Sequence, residues 1–182
     1  MQVDTMSKLA ITSKLCKQFP GGWSVKSDAM NVALWHTRYN RTLNILEFGA
    51  GAGTQVLVDI LTRLNAAFNY VSYENKPEYV CTSPKVQTVM WDVCPTELVP
   101  GIFDFVIIDG PAGVTRTQWY PLLKTHVQQG TIILIDDFRH FKEFEIALNS
   151  AFHYRTLASR TDKKVAGITQ ITWLVVKVTG VK

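Results

Sequence analysis

The sequence predicts an α/β fold in which a mostly parallel sheet is covered by helices on both faces. Short apolar runs of strand length alternate along the chain with segments whose apolar residues recur at helical spacing. The run over residues 103–109 is almost continuously apolar, which is typical of a parallel strand buried on both faces. Near the C-terminus two strand-like segments follow each other without a helix, which predicts an antiparallel hairpin.

Length and composition limit the prediction further. A chain of 182 residues suits one domain with a sizeable core. No apolar run is long enough to span a bilayer, and the polar N-terminus does not resemble a signal peptide, so a cytoplasmic location is expected. Cys16, Cys81 and Cys94 lack Cys-x-x-Cys spacing, which favours reduced, buried thiols. The net charge of +4 is scattered, which disfavours nucleic acid as a partner and favours a solvated surface.

The first helices are predicted from spacing and from breaks in it. Residues 4–19 are loosely helical in pattern, and the segment Pro20-Gly21-Gly22 ends them. Ser27 is a good N-cap for a second helix, which is expected to end near Arg38. The buried face of that helix is predicted to contain Ala29, Met30, Ala33, Leu34 and Thr37.

The glycine-rich turn over residues 46–54 is the feature on which the functional prediction depends. It joins a short apolar strand, residues 44–48, to a helix over residues 54–66. Glycines let backbone N–H groups approach a ligand, and the positive end of the helix points at the same place. A dinucleotide fingerprint would need glycine where Thr54 stands, and Glu47 lies in the strand end instead. A turn that binds no ligand is the alternative.

Two further strands each lead into an acid. The strand over residues 68–74 ends in Glu74, roughly twenty residues beyond the glycine turn, where Rossmann-like sites place a carboxylate on the hydroxyls of a ribose. The strand over residues 85–91 is followed by Asp92. An exposed acid at the strand end is the alternative for Glu74, and capping of a turn is the alternative for Asp92.

The second half of the chain continues the alternation of strands and helices and then ends in two strands without a helix between them. A helix over residues 121–129, followed by Gly130, leads to a strand over residues 131–137. Helical spacing then indicates a further helix through Phe141, Phe144, Leu148 and Ala151. The terminal hairpin is predicted from strands over residues 152–159 and 167–178, joined by a polar loop over residues 160–165.

Glu47 followed by alternating glycines on a strand–turn–helix resembles motif I of the class I S-adenosylmethionine (SAM) dependent methyltransferases. The resemblance covers residues 21–178 and implies a Rossmann-like sandwich with a seven-stranded sheet and an antiparallel last strand. It implies SAM as the cofactor, and an acid at the position of Asp92 would accept a hydrogen bond from the adenine, with Trp91 packing nearby. The residues that it assigns to SAM are Glu47, Gly49, Ala50, Gly51, Gly53, Thr54, Glu74, Asn75, Asp92 and Asp109.

The segment Gly22-Trp23-Ser24 resembles the part of small-molecule and sugar O-methyltransferases that folds over bound SAM. We therefore expect a single methyltransferase domain over residues 1–182, in which residues 1–40 form a helical cap over the cofactor and the substrate. Packing of Trp23 in the core is the alternative.

Three aspartates follow two strands: Asp109 ends one, and Asp136 with Asp137 ends the next. Ligands bind beyond the carboxyl ends of the strands in open α/β sheets, and paired strands lie about 4.8 Å apart, so these carboxyls are expected to converge. Like charges raise one another's pKa unless a cation lies between them, and Mg²⁺ or Mn²⁺ would suit oxygen ligands. Helix N-capping by Asp136 or Asp137 is the alternative.

The aspartate pattern resembles that of metal-dependent O-methyltransferases, and its Asp-Asp pair resembles the macrolide and aminocoumarin sugar enzymes. The resemblance implies Asp109, Asp136 and Asp137 as metal ligands, with direct methyl transfer to one of two metal-bound hydroxyls. Where those enzymes carry a general base, this chain has Pro111 and Ala112. The stretch Asp-Gly-Pro-x-Gly instead resembles glucuronoxylan-type sugar methyltransferases.

Another residue must therefore supply the general base. His140 is the nearest candidate, because neutral imidazole suits that role near neutral pH, and a structural histidine is the alternative. Asp109 and Asp137 complete the predicted catalytic set, and Arg116 could hold an acidic or polar group of the substrate.

The expected function is methyl transfer from SAM to a hydroxyl of a sugar or glycan, by an enzyme fused to or acting with glycosyltransferases. A catechol-like small-molecule acceptor is one alternative. Methylation of the RNA 2′-hydroxyl is another, for which Lys142 and Glu145 could belong to a Lys-Asp-Lys-Glu set. A SAM-binding subunit without activity of its own is a third. The Asn/Asp-Pro-Pro-Tyr signature of base-amino methylation is absent from the sequence.

Overall fold

The computed structural model describes residues 27–37, 41–93, 95–111, 113–138, 142–165 and 168–182. Its centre is a seven-stranded sheet in the order β3-β2-β1-β4-β5-β7-β6. The strands are β1 Leu43–Phe48, β2 Phe68–Glu74, β3 Val86–Met90, β4 Phe103–Ile108, β5 Val127–Asp136, β6 Phe152–Val165 and β7 Ile168–Val181. The helices are α1 Ser27–His36, α2 Ala52–Arg63, α3 Trp119–Leu123 and α4 Lys142–Ala151, with 3-10 helices at Pro77–Tyr79 and Gly113–Gln118.

The topology confirms the predicted fold class. Strands β1 to β5 pair in parallel, and β7 lies antiparallel between β5 and β6. The predicted strand over residues 68–74 coincides with β2.

Helices cover both faces of the sheet, and each face has its own apolar core. Residues of α1 and α2 pack with Ile45, Ile107 and Leu134 on one face. Residues of α3 and α4 pack with Phe48 and Ile135 on the other. Because successive strand residues point to opposite faces, the apolar central strands supply both cores at once. No helix among the described segments has both the length and the apolar character that a membrane span requires.

The predicted helix over residues 121–129 is wrong in its second half. Helix α3 ends at Leu123, and Val127 already pairs with Phe103 as the first residue of β5. Gly130, which the sequence suggested as a helix end, has φ +103° inside the strand, and the β4–β5 register shifts between Phe103 and Phe105. A glycine at an irregularity of this kind marks a bulge and not a helix terminus.

The predicted polar loop over residues 160–165 is also wrong, because β6 continues through it. Thr161 pairs with Ile171 and Val165 pairs with Ile168, with several register shifts along the hairpin. Polar residues are common on an edge strand, whose backbone still forms the ladder with its one neighbour. Of the predicted cap over residues 1–40, the structure describes only residues 27–37, so the cap stays a prediction.

Candidate cofactor and acceptor site

The glycine turn follows β1, at the point where the strand order of the sheet reverses. From β1 the chain proceeds through α2 to β2 on one side, and β4 pairs with the other side of β1. A crevice forms at such a switch point, beyond the carboxyl ends of the two central strands, and it is the usual ligand site of an open α/β sheet.

Gly49 and Gly110 bring the turns after β1 and β4 into direct backbone contact. A Cβ atom on Gly49 would lie 2.6 Å from the backbone nitrogen of Gly110, and Gly49 also has φ +95°. The backbone N–H groups of Asp109 and Gly110 both donate to the carbonyl oxygen of Phe48, at 2.9 and 2.6 Å. Glycine at position 49 is therefore required by space and by backbone conformation.

Glu47 is buried at the end of β1 and stabilises the turn through hydrogen bonds. Its carboxylate Oε2 accepts hydrogen bonds from the hydroxyls of Thr54 at 2.8 Å, Tyr70 at 2.9 Å and Ser72 at 3.2 Å. Burial raises the pKa of Glu47 to about 7, although the three hydroxyls oppose the rise. The hydroxyl of Thr54 also accepts from the backbone N–H of Gly51 at 3.0 Å, so Glu47 fixes both the strand end and the first turn of α2.

Gly51 differs from Gly49 because a side chain at position 51 would enter open space and would not collide with the backbone. Its φ of 162° is extended backbone that other residues adopt, and a Cβ atom there would meet no atom within 4 Å. The fold therefore does not require glycine at this position. The absence of a side chain leaves open space directly in front of the α2 N-terminus, which is where a bound ligand would approach.

Glu74 at the end of β2 is tied to the glycine turn. Its Oε2 accepts from the backbone N–H of Ala50 at 2.7 Å, and its Oε1 accepts from the N–H groups of Asn75 and Lys76, both at 2.8 Å. A carboxylate offers about four acceptor positions, so about one remains for a further donor. Glu74 therefore braces the turn, and the ribose contact foreseen for it is restricted to that one position.

The remaining predicted cofactor residues surround the same crevice less closely. Gly53 lies in the first turn of α2, and the side chain of Asn75 is exposed. Asp92 is exposed just beyond β3. Trp91 packs edge-on against Trp119 at a ring distance of 5.4 Å. These positions are compatible with the predicted contacts and do not test them.

The aspartates at the ends of β4 and β5 have a common neighbour, Arg116, which was not predicted to lie beside them. Arg116, in the 3-10 helix Gly113–Gln118, is buried and donates to the carbonyl oxygens of Pro111 at 2.6 Å and Asp136 at 2.9 Å. Its guanidinium also lies 3.7 Å from the carboxylate of Asp137. Burial and then the charge of Asp136 raise the pKa of Asp109 well above its usual value, while Arg116 opposes the rise.

Three of the sequence-based assignments fall on residues outside the described parts of the chain: His140, Trp23 and the thiols of Cys16 and Cys94. The remaining thiol, that of Cys81, is free and buried, as the sequence predicted.

Solved structures of methyltransferases share this architecture. A precorrin-6y C5,15-methyltransferase from Geobacter metallireducens matches 88% of this chain and 92% of its own, with 12% identity and a TM-score of 0.62. A putative O-methyltransferase from Klebsiella pneumoniae matches 99% of this chain and 92% of its own, with 12% identity and a TM-score of 0.59. The chain has the class I methyltransferase fold.

A further structure with this fold is the 16S rRNA N2 G1207 methyltransferase of T. thermophilus, solved with SAM and guanosine. It is 20% identical over 89% of this chain and 45% of its own, with a TM-score of 0.57. No protein-family model matches the sequence, and no curated protein matches it. At these identities the methyltransferase fold is shared, while the acceptor differs from one neighbour to the next.

The residues of this methyltransferase fold do not fit the predicted divalent metal. In the described part of the chain, no group of three or more His, Cys, Asp or Glu side chains could hold a metal ion. The structure therefore does not support Asp109, Asp136 and Asp137 as ligands of Mg²⁺ or Mn²⁺, and that assignment stays a prediction. The buried guanidinium of Arg116 already supplies positive charge beside these carboxylates.

Two features of the site went beyond the sequence-based predictions. Tyr70 and Ser72 as partners of Glu47 could have been found, because Tyr70, Ser72 and Glu74 recur at the two-residue period of one strand face. Arg116 had been assigned only to a substrate group. Its contact with the aspartates depends on the fold of residues 113–118, which no spacing pattern of the sequence indicates.

Proposed function

We propose that this chain binds SAM and transfers its methyl group to a hydroxyl of a sugar or glycan. The observation that carries the first part is the glycine turn at the switch point of a methyltransferase fold, with open space before Gly51. The sugar acceptor rests on the resemblance of Asp109-Gly110-Pro111 and of the Asp136-Asp137 pair to sugar methyltransferases.

The residues of the chain would hold the cofactor in the following way. Glu47 and Thr54 fix the turn, so that the backbone N–H groups at the start of α2 remain oriented toward the ligand. Glu74 retains about one acceptor position for a ribose hydroxyl. When bound, SAM supplies an electrophilic methyl carbon on a positively charged sulfur.

Asp109 is the candidate for the general base. Once ionised, a carboxylate whose pKa is raised is a stronger base than an ordinary aspartate, so it accepts the proton of a hydroxyl more readily. Arg116 would keep Asp136 and Asp137 in place at the other wall of the crevice. No metal ion takes part in this proposal, because the cation beside the aspartates is a side chain.

Transfer of tritiated methyl groups from SAM to a panel of sugars, glycans, catechols and RNA tests the proposal. Label in a sugar or glycan supports it, whereas label in catechols or RNA would replace the acceptor and keep the enzyme class. SAM binding without transfer to any acceptor would favour the non-catalytic subunit.

A matched pair of variants separates cofactor binding from folding. Gly51→Arg fills the open space before α2 and should abolish SAM binding in calorimetry, for which we expect micromolar affinity in the wild type. Thr125→Arg adds the same side chain to an exposed turn before β5, at the opposite end of the strands, and should leave SAM binding unchanged. Equal SAM affinity in both variants would remove the cofactor assignment.

A further inference from the structure

A cavity of about 140 Å³ opens at the end of the sheet where β4 and β5 begin, opposite to the end that carries the glycine turn. It lies between the end of α1, the first residues of β4, the first half of β5, and β7. Along a strand of the length of β1, at about 3.3 Å per residue, that end of the sheet is about 17–20 Å from the turn. The cavity is therefore separate from the site proposed for SAM, and its volume is several times the roughly 30 Å³ that one water occupies in the liquid.

The side chains that line this cavity carry more positive than negative charge. His36, Arg41 and Lys177 are its basic residues, and Asp104 is the acidic one. The carboxylate of Asp104 is already engaged, because it accepts from the guanidinium of Arg41 and from the backbone N–H of Asn44. Within the described segments, Lys177 forms no ion pair, so its charge is not balanced by that acid.

A second basic residue stands directly beside Lys177. Arg155 of β6 is its cross-strand partner in the antiparallel pair with β7. Like charges at directly opposite positions destabilise a sheet. Both charges also act on His36, whose pKa is lowered by burial first, then by Lys177 and then by Arg155. An anion in the cavity would relieve this repulsion, since it would interact favourably with all of these groups.

We propose that this cavity binds a tetrahedral oxyanion, the phosphoryl or sulfate group of a small molecule. Cationic donors reach the cavity from the segment before β1 and from β7, and the imidazole of His36 and the side-chain amides of Gln128 and Gln129 line it as neutral groups. A tetrahedral anion presents oxygens in several directions, so it can accept from donors on separate elements at once. Lys177 would balance its charge, and Arg41, whose charge Asp104 already offsets, would donate from its remaining N–H groups.

Thermal unfolding in the presence of inorganic phosphate and of sulfate, with ionic strength held constant by NaCl, tests this proposal. We expect both anions to raise the Tm of the wild-type protein, because a ligand that binds only the folded state stabilises it. Glycerol 3-phosphate as a parallel probe separates the free ion from a phosphoryl group on a larger molecule. No rise with any of the three probes would overturn the proposal.

Two variants distinguish a specific site from general screening of charge. Lys177→Gln removes the repulsion with Arg155, so it should raise the phosphate-free Tm while weakening phosphate binding at least tenfold. Lys85→Gln removes an equal charge beside β3, at the other end of the sheet, and should keep the wild-type response. A phosphate-dependent rise of equal size in Lys177→Gln and in the wild type would also overturn the proposal.

The histidine beside the cavity gives a readout that does not depend on stability. Phosphate should raise the pKa of His36 in an NMR titration, since an anion favours the charged imidazole. The His36→Gln variant identifies the signal. A pKa of His36 that phosphate leaves unchanged would contradict binding in this cavity, whether or not the chain methylates a sugar.

Discussion

The hydroxyl of Thr54 donates a hydrogen bond of 2.8 Å to the buried carboxylate of Glu47. This single contact joins the first turn of α2 to the end of β1, and the same hydroxyl accepts from the backbone N–H of Gly51 at 3.0 Å. A glycine-rich turn is flexible by composition, so a buried side-chain network that holds it in one conformation lowers the entropy lost when a ligand binds.

Thr54→Val should destabilise the protein, because it leaves both hydrogen-bonding partners of the hydroxyl without a replacement. We expect a loss of about 1–3 kcal/mol in the free energy of unfolding, measured by urea denaturation. Thr54→Ser keeps the hydroxyl and serves as the control, with a smaller loss from the missing methyl group. Equal stability of the valine variant and the wild type would contradict the role of this network.

Glu47 should make the protein more stable in mild acid than at neutral pH. Its pKa is about 7 in the folded chain against 4.5 ordinarily, so the folded state binds the proton more tightly than the unfolded state does. The free energy of unfolding therefore falls as the pH rises through that window, and Glu47 contributes about 3 kcal/mol to the fall. Asp109, whose pKa is also raised, contributes in the same direction.

The Glu47→Gln variant tests this pH dependence. Its free energy of unfolding should change less between the two ends of the window than that of the wild type, because the titrating group is gone. Glu143→Gln, at an exposed position on α4, should keep the wild-type slope. Identical slopes for all three proteins would show that Glu47 does not titrate in this range.

Gly49 and Gly51 should respond in opposite ways to substitution by alanine. Gly49→Ala places a Cβ atom 2.6 Å from the backbone of Gly110 and forces φ +95° on a non-glycine residue, so we expect a strongly destabilised protein. Gly51→Ala meets no atom within 4 Å and should fold normally, with weaker SAM binding. Circular dichroism melting and calorimetric titration measure the two effects, and equal melting temperatures would contradict the difference.

The fold could be predicted well where the pattern was local. The strand Phe68–Glu74 was predicted at its observed limits, because its alternation and its flanking turns lie in consecutive residues. Residues 127–130 were assigned to the wrong element, since a short apolar–polar run ending in glycine fits a helix end and a bulged strand equally well. Pairing with Phe103, more than twenty residues earlier, decided between them.

The site was predictable on its cofactor side and less so on its acceptor side. Residues around the glycine turn are consecutive, and the period of β2 brings Glu74 to Ala50. The aspartates were correctly expected at neighbouring strand ends, since β4 and β5 pair. The position of Arg116 beside them could not be predicted, because it lies on a separate 3-10 helix and no spacing rule connects it to Asp136.

Asp109→Asn should reduce turnover much more than it reduces SAM binding. The amide is similar in size but cannot accept the proton of the acceptor hydroxyl, so we expect kcat to fall about 10²-fold or more. The SAM dissociation constant, measured by calorimetry, should change less than tenfold. Asp59→Asn, at an exposed position on α2, is the control for a neutralised aspartate. A variant at Asp109 with wild-type kcat would require another base.

Removal of divalent metal should leave turnover unchanged, whereas removal of Arg116 should not. In EDTA the aspartates keep their buried guanidinium, so methyl transfer in the wild-type protein should persist. Arg116→Met leaves Asp136 and Asp137 without that charge and removes two hydrogen bonds to backbone carbonyls, which should lower the free energy of unfolding by about 3–5 kcal/mol. Arg116→Lys keeps the charge and should recover part of the loss. Turnover that stops in EDTA and returns with Mg²⁺ or Mn²⁺ would mean that a metal binds at this end of the sheet despite the arginine.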